Sequence, residues 1–168
     1  AFRKNPEATH VHIIIADFDD MAHMFIIQAI KVLTPSKEPH RITVFTEKTQ
    51  EIDKFRNFYH LEELHGIHFE FRNGEITAPE NRETLTGIVR DISASVTLFI
   101  ANPIADSALE TFNRLPRELH FENIHILIEQ RIMSQCVKPV YQLRRFGYAS
   151  VDYIGMIDRF YYSLASRE

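Results

Sequence analysis

Three carboxylates stand close together near the start of the chain, at Asp17, Asp19 and Asp20. They follow a short apolar run and precede a stretch with helical spacing, so they lie where a strand passes into a helix. Carboxylates at such a point can gather around Mg²⁺ or Ca²⁺, and His23 on the same helical face adds a transition-metal ligand. Asp is also a preferred helix N-cap. The sequence therefore predicts either a divalent-cation site at Asp17, Asp19 and Asp20, or a helix capped by Asp19 or Asp20 with the other carboxylates solvated.

The same segment is where a dinucleotide-binding unit carries its G-x-G-x-x-G turn, in which glycines let the backbone approach the pyrophosphate. Taken as Ala16, Phe18 and Met21, all three glycine positions carry side chains. Two like charges ~4 Å apart repel by about 4 kcal/mol at an effective dielectric near 20, which outweighs a helix-dipole attraction of ~0.3–1 kcal/mol. Conventional NAD binding is therefore not expected, and the cofactor, if there is one, stays unknown.

Short β-rich apolar runs alternate with longer helical patterns along the chain. The predicted strands are Val11–Ala16, Arg41–Thr46, Ile67–Phe71, Val96–Ile100, Asn123–Glu129 and Val151–Ile154. The predicted helices are Phe18–Leu33, Gln50–Leu64 ended by Gly66, Thr77–Ile92 with a capping box, one starting at Asn102-Pro103, Val140–Phe146, and a tail helix over Met156–Ala165. Strands joined by helical crossovers form parallel sheets covered on both faces. We predict one α/β domain over residues 1–168: a doubly wound, mostly parallel Rossmann-like sheet of five or six strands.

Ligands of such sheets bind outside the carboxyl ends of the strands. The four segments expected at this edge are Ala16–Asp20, Thr46–Lys48, Arg72–Glu75 and Ala101–Asp106. The candidate ligand-binding residues within them are Asp17, Phe18, Asp19, Asp20, Glu47, Asn73, Gly74 and Asn102. Glu47 stands where a dinucleotide fold holds a ribose hydroxyl, and the competing interpretation is a plain surface residue.

Composition and motifs exclude several function classes. A formal net charge of -4 provides neither a basic stripe for nucleic acid nor a polybasic patch for lipid. No apolar run approaches the ~18 residues of a membrane helix. The nine histidines match no zinc-site spacing, and neither Cys136 nor any serine lies in a nucleophile motif. We therefore expect a protein that is not an enzyme and does not bind nucleic acid.

The order of these elements, read with their sequences, resembles the regulator-of-potassium-conductance (RCK) or TrkA N-terminal domain family. The resemblance covers about Val11 to Ile154 and is carried by HVHIIIADFDDMAHMFIIQAI, HRITVFTEK, GIHFEFRNGEITAPENRETL, SVTLFIANP, IHILIEQ and YQLRRFGYASVDYI. It implies a cytoplasmic ligand-sensing domain paired with its twin and attached to a potassium channel or transporter. With the glycines absent, the acidic turn could instead suit a cation, or only the structural and dimerising role could remain. The start at Ala1 is as expected for a domain cut from a longer membrane protein, and equally for a stand-alone chain.

Two alternatives belong to other classes. One is a Rossmann-type oxidoreductase, which needs a nicotinamide cofactor and a proton-transfer residue. The other is a receiver-like signalling module, which needs an Asp at the end of strand three and a Lys after strand five; here those places read Phe71-Arg72-Asn73-Gly74 and Glu129-Gln130-Arg131. A final expectation is self-association through apolar faces of Ile104–Phe112 or, better, of the tail, which carries Phe160, Tyr161, Tyr162 and Leu164.

Overall fold

The computed structural model describes residues 7–102, 104–120, 124–129 and 151–154. Six strands form a single sheet: β1 His10–Ala16, β2 His40–Thr46, β3 Ile67–Asn73, β4 Ala94–Ile100, β5 Ile124–Glu129 and β6 Val151–Ile154. All neighbouring strands run parallel, in the order β3-β2-β1-β4-β5-β6. The predicted fold class, a parallel Rossmann-like sheet, is confirmed.

Helices connect the strands from β1 to β5 and cover both faces of the sheet. Within the described residues four of them are α-helices: α1 Asp20–Val32, α2 Thr49–Tyr59, α3 Arg82–Arg90 and α4 Ala105–Arg114. Three short 3₁₀ turns lie at Leu61–Glu63, Pro79–Asn81 and Arg117–His120. The described part of the chain contains no helix whose length and apolar character would let it cross a membrane.

The central strands are mostly apolar because both of their faces are buried. Every residue of β4 is buried, as a strand covered by helices on two sides requires. Alternate residues of β1 serve different faces: Ile13 and Ile15 pack with α1 and α2, whereas Ile14 and Ala16 pack in the other layer. The second layer holds the apolar faces of α3 and α4, including Leu85 and Phe112. The domain is thus a three-layer structure with one core on each side of the sheet.

Two helix ends on the α1–α2 side differ from the prediction. Phe18 lies before α1 rather than in it, because Asp19 caps the helix. The second helix ends at Tyr59, where His60 takes a left-handed conformation with φ of 50° and terminates the hydrogen-bond ladder. Gly66 also has positive φ, 78°, but it comes just before β3 and does not end the helix.

Two helix starts on the other side were also placed wrongly. The predicted capping box at Thr77 does not form: Ala78 precedes the 3₁₀ turn Pro79–Asn81, with no side-chain cap hydrogen bond. The next helix begins at Ala105, after Ile104, and not at Asn102-Pro103. The predicted helices Val140–Phe146 and Met156–Ala165 lie outside the described residues.

Candidate functional site

Four of the predicted segments meet at one edge of the sheet. Backbone hydrogen bonds extend the ladder one step beyond the strand ends: Asp17 N–H donates to the Phe45 carbonyl at 2.7 Å and Ala101 N–H to Ala16 at 2.9 Å. Gly74 N–H donates to the Thr46 carbonyl at 3.1 Å. The carboxyl ends of β1, β2, β3 and β4 are therefore aligned, as the parallel sheet predicts.

The strand order fixes where this edge opens. The chain moves from β1 outward to β2 and β3, then crosses to β4 on the other side of β1. This is the order of doubly wound dinucleotide-binding sheets, whose crevice lies where the order reverses, between the ends of β1 and β4. Receiver-type sheets have the order 2-1-3-4-5 instead. The receiver alternative is wrong on topology.

Asp17 forms the tight turn after β1. Its φ of 68° lies in the left-handed region, which among residues with side chains Asp and Asn tolerate best. Its Oδ1 accepts hydrogen bonds from its neighbour Phe18 N–H at 2.7 Å and from the Thr46 hydroxyl at 3.0 Å. The side chain thus holds its own turn and ties it to the end of β2.

The left-handed residue corrects the alignment of the glycine motif. Counted from Asp17 as the first, tight-turn position, G-x-G-x-x-G falls on Asp17, Asp19 and Ala22, not on Ala16, Phe18 and Met21. The third position allows alanine, because its role is close packing of helix on strand, and Ala22 is fully buried. The tight-turn position and the position where the backbone approaches a pyrophosphate are therefore both aspartates.

Asp19 occupies the helix N-terminus. Its Oδ1 accepts the N–H of Ala22 at 2.9 Å, so a carboxylate of the protein takes one of the donors that would otherwise meet a phosphate. Asp20 follows in the first turn and is exposed. The capping interpretation of the acidic turn is confirmed for Asp19.

Lys48 closes the turn from the β2 side. Its Nζ donates to the carbonyl of Phe18 at 2.7 Å and lies 3.4 Å from Asp17 Oδ1. Its backbone N–H donates to the Thr46 hydroxyl at 3.2 Å, and that hydroxyl in turn donates to Asp17. Since both side chains of the Lys48–Asp17 pair are about two-fifths exposed, we ascribe little stability to the ion pair itself. The main consequence is steric, because the Lys48 ammonium group covers the Phe18 carbonyl beside the turn.

The predicted metal set is not assembled. Among the described residues, no group of three or more His, Cys, Asp or Glu side chains is arranged to hold a metal ion. Asp17 turns toward Thr46 and Lys48, whereas Asp19 turns into its own helix. His23 contacts the Tyr59 hydroxyl through Nε2 at 3.1 Å rather than joining the aspartates. Asp17 and Asp19 are directed apart because each accepts a backbone N–H from its own turn, that of Phe18 and that of Ala22.

The remaining candidates lie along the same edge. Glu47 is exposed directly after β2, and Asn73 is exposed at the end of β3. Gly74 has φ of 108°, a conformation that favours glycine, so it serves the turn after β3. Asn102 accepts the N–H of Ile104 through Oδ1 at 2.9 Å and shapes the loop before α4 instead of capping the helix. The predicted roles of Glu47, Asn73, Gly74 and Asn102 in ligand binding stay predictions.

An aromatic groove next to the acidic turn was not predicted. It lies between α1 and α2, encloses about 570 Å³, and has His23, Phe55, Phe58 and Tyr59 in its wall. The His23 ring meets Phe55 edge-on at 4.6 Å and Tyr59 at 5.4 Å between centroids. Phe18 belongs to the same cluster and is only 5% exposed, so its ring serves packing. The spacing of Phe55, Phe58 and Tyr59 on one helix was the available signal, but such a stripe equally predicts core.

The charges around this groove are mainly negative. Asp19, Asp20 and Glu51 contribute carboxylates, and Lys54 contributes one ammonium group. Aromatic faces beside carboxylates attract cations rather than phosphates. The groove and the turn therefore share an electrostatic preference, which is opposite to that of a dinucleotide site.

Comparisons with known proteins support the fold of this chain and no more specific property. No protein-family model matches the chain, and no curated protein matches it. Among solved structures, the chain is similar to Glucose-6-phosphate 1-dehydrogenase from Mycobacterium avium, with a TM-score of 0.54 and 13% sequence identity. The match covers 87% of this chain and 36% of the dehydrogenase chain. At this identity the likeness establishes a Rossmann-type fold shared with one part of a larger protein.

Proposed function

We propose that this chain is a non-catalytic regulatory domain, which keeps the Rossmann fold and has replaced the dinucleotide turn by its own side chains. The observation that carries the proposal is the pair of aspartates at the first two glycine positions. Asp17 fills the tight turn, and Asp19 fills the helix N-terminus. A bound pyrophosphate would have to displace both carboxylates or lie against them. In either case the unfavourable free energy exceeds the attraction between the phosphates and the helix dipole.

The resemblance to RCK domains gives this proposal its setting. A domain of that kind acts on the cytoplasmic side of a cation channel or transporter, where a twin domain and a ligand shift the pore. The acidic turn and aromatic groove favour a cationic ligand or no ligand, and the remaining role is then structural and dimerising.

Titration calorimetry with NAD⁺, NADH, NADP⁺ and NADPH at physiological ionic strength tests the proposal. We expect dissociation constants weaker than about 10 µM, which corresponds to less than about 7 kcal/mol of binding. Tighter binding of any of the four would favour the oxidoreductase alternative and contradict the proposal.

A restored-glycine variant tests the cause. Asp17→Gly suits a residue with φ of 68°, and Asp19→Gly keeps an accepted N-cap residue, so the double variant should fold. We expect it to bind a dinucleotide at least tenfold more tightly than the natural chain. The charge-matched control is Asp53→Asn with Glu83→Gln, two exposed carboxylates on other helices. An equal gain in the control would show that net charge alone, and not the turn, opposes binding.

A further inference from the structure

A second cavity lies on the α3–α4 side of the sheet, away from the aromatic groove. It encloses about 410 Å³ between two connections, the one from β3 to α3 and the one from α4 to β5. Three of its wall residues are arginines, Arg82, Arg114 and Arg117. We call this cavity the arginine groove.

Among the described residues, the wall of the arginine groove carries charge of one sign. It contains three guanidinium groups and no carboxylate, although the whole chain has a formal net charge of -4. All three arginines are exposed. Within the part of the chain that the structure describes, no ion pair joins any of them to a carboxylate. Glu80 and Glu83 flank Arg82 in sequence but are not part of the wall.

Arg82 also opposes its own helix. It is the first residue of α3, where the partial positive charge of the helix N-terminus disfavours a cation. An anion bound beside Arg82 would offset both the guanidinium and the helix dipole. Arg114, in the last turn of α4, is well placed for its helix, so its charge is available to a ligand without such a conflict.

The rest of the wall suits a compact ligand body. Ile76 and Leu115 are 3% and 4% exposed, and they anchor the two connections in the core below the groove. Pro79 and Pro116 restrict the backbone at the two sides. The volume lies within the ~300–1,000 Å³ of small-molecule sites. Three arginines are too few for a nucleic-acid surface, whose affinity depends on many phosphate contacts.

We propose that the arginine groove binds a small molecule that carries two or more linked phosphate groups. Guanidinium forks bind phosphate oxygens in pairs, and three of them from two connections can hold adjacent phosphates. This site is independent of the proposed regulatory role and of the acidic turn, because it uses other residues on the other face of the sheet.

The test is calorimetric titration of the full chain with tripolyphosphate, ATP, AMP and citrate at low ionic strength. We expect saturable binding of tripolyphosphate and ATP, and binding of AMP and citrate at least tenfold weaker. Equal affinities for tripolyphosphate and ATP identify the phosphate chain as the recognised part. A tighter ATP complex adds a contact to the base, and both results support the proposal. Absence of saturable binding at ~1 mM, or citrate binding as well as tripolyphosphate, overturns it.

Substitutions locate the binding. Arg82→Gln and the double change Arg114→Gln with Arg117→Gln should each weaken tripolyphosphate binding at least tenfold. Arg90→Gln, at the opposite end of α3, removes the same charge outside the groove and should change affinity less than twofold. Arg82→Lys keeps the charge but loses the fork, and an intermediate loss is expected. Thermal melting of each variant checks that the fold is intact. Equal losses in Arg90→Gln and Arg82→Gln would place the binding elsewhere and refute the assignment.

Discussion

At the scale of single residues, Asp17 explains how much of the site was predictable. The sequence correctly placed three carboxylates at the end of β1, because an apolar run followed by a helical pattern marks that point reliably. It did not reveal which residue takes positive φ, since this depends on where the strand's last hydrogen bond falls. A shift of one residue moved the glycine positions from Ala16, Phe18 and Met21 to Asp17, Asp19 and Ala22. The conclusion of a lost fingerprint survived, but its chemistry became more specific.

His12 provides a residue-scale prediction about pH. Its ring is buried in β1, and Nε2 lies 2.8 Å from the Thr43 hydroxyl. Burial, together with the positive charge of nearby Arg41, lowers the pKa of His12 from 6.5 to about 4. The unfolded chain thus takes up a proton near pH 6.5, whereas the folded chain does so only near pH 4. The free energy of unfolding is therefore unaffected by His12 above pH 6.5. It decreases as the pH drops from 6.5 to about 4, and below pH 4 the effect of His12 levels off.

The size of the effect follows from the shift. Each pH unit across the window costs about 1.4 kcal/mol, which amounts to roughly 3 kcal/mol in total. Urea unfolding of the natural chain and of His12→Gln between pH 7.5 and 4.5 measures it; the variant should show a flatter dependence. His65→Gln, at an exposed position, is the control and should keep the natural slope. Equal slopes in the natural chain and His12→Gln would contradict the assignment.

At the scale of elements, the strands were predicted far better than the helix ends. β2 and β4 were placed within two residues, because β-branched apolar runs are bounded by turn signals on both sides. The starts of α3 and α4 were missed because Asn81 and Ile104 precede them without a side-chain cap hydrogen bond. Such starts are fixed by tertiary packing, and no local motif announces them. Conversely, Asp19 caps α1 with its side chain, and this start was readable from sequence.

The prediction at the scale of elements concerns the side-chain cap that Asp19 provides for α1. Asp19→Ala removes the acceptor for the Ala22 N–H and should lower the free energy of unfolding by about 1 kcal/mol. Asp19→Ser retains a capping oxygen and should lose less than half of that amount. Asp20→Ala, at the exposed next position, removes a first-turn carboxylate whose interaction with the helix dipole is worth ~0.3–1 kcal/mol. Urea unfolding at pH 7 compares the three variants. If Asp20→Ala proved the most damaging, the capping role would belong to Asp20 instead.

At the scale of the whole molecule, the fold places acidic and basic side chains on opposite sides of the sheet, whereas the net charge gives only their sum. The α1–α2 side carries the acidic turn and the aromatic groove, and the α3–α4 side carries the arginine groove. A net charge of -4 argues against nucleic-acid binding, and that expectation stays a prediction. It gave no sign of the arginine groove, because Arg82 and Arg114 are far apart in sequence and meet only through the crossover of α3. Local charge at this scale is a property of topology.

Self-association is the prediction that belongs to the whole molecule. Two apolar segments were expected to self-associate, the α4 segment Ile104–Phe112 and the tail. The first packs within its own domain, since Ala108 is fully buried and Phe112 is 1% exposed, both in the core against the sheet. Only Ile104, before the helix, is largely exposed, at 63%. The tail after β6 is therefore the remaining candidate, and its residues lie outside those the structure describes. β6 is an edge strand of the described sheet, and the edge of a sheet is a place where a second copy can pair or pack.

We expect the natural chain to be a dimer by multi-angle light scattering at ~100 µM, with dissociation on dilution. The triple change Phe160→Ser, Tyr161→Ser and Leu164→Ser removes large apolar surface from the tail and should yield a monomer with an unchanged far-ultraviolet spectrum. The matched control is Ile104→Ser, which removes an exposed apolar side chain from the α4 segment and should leave the dimer intact. A dimer that survives the tail changes but dissociates in the control would assign the contact to the α4 segment. A natural chain that stays monomeric up to millimolar concentration would remove dimerisation, and with it the pairing that a regulatory domain of this kind requires.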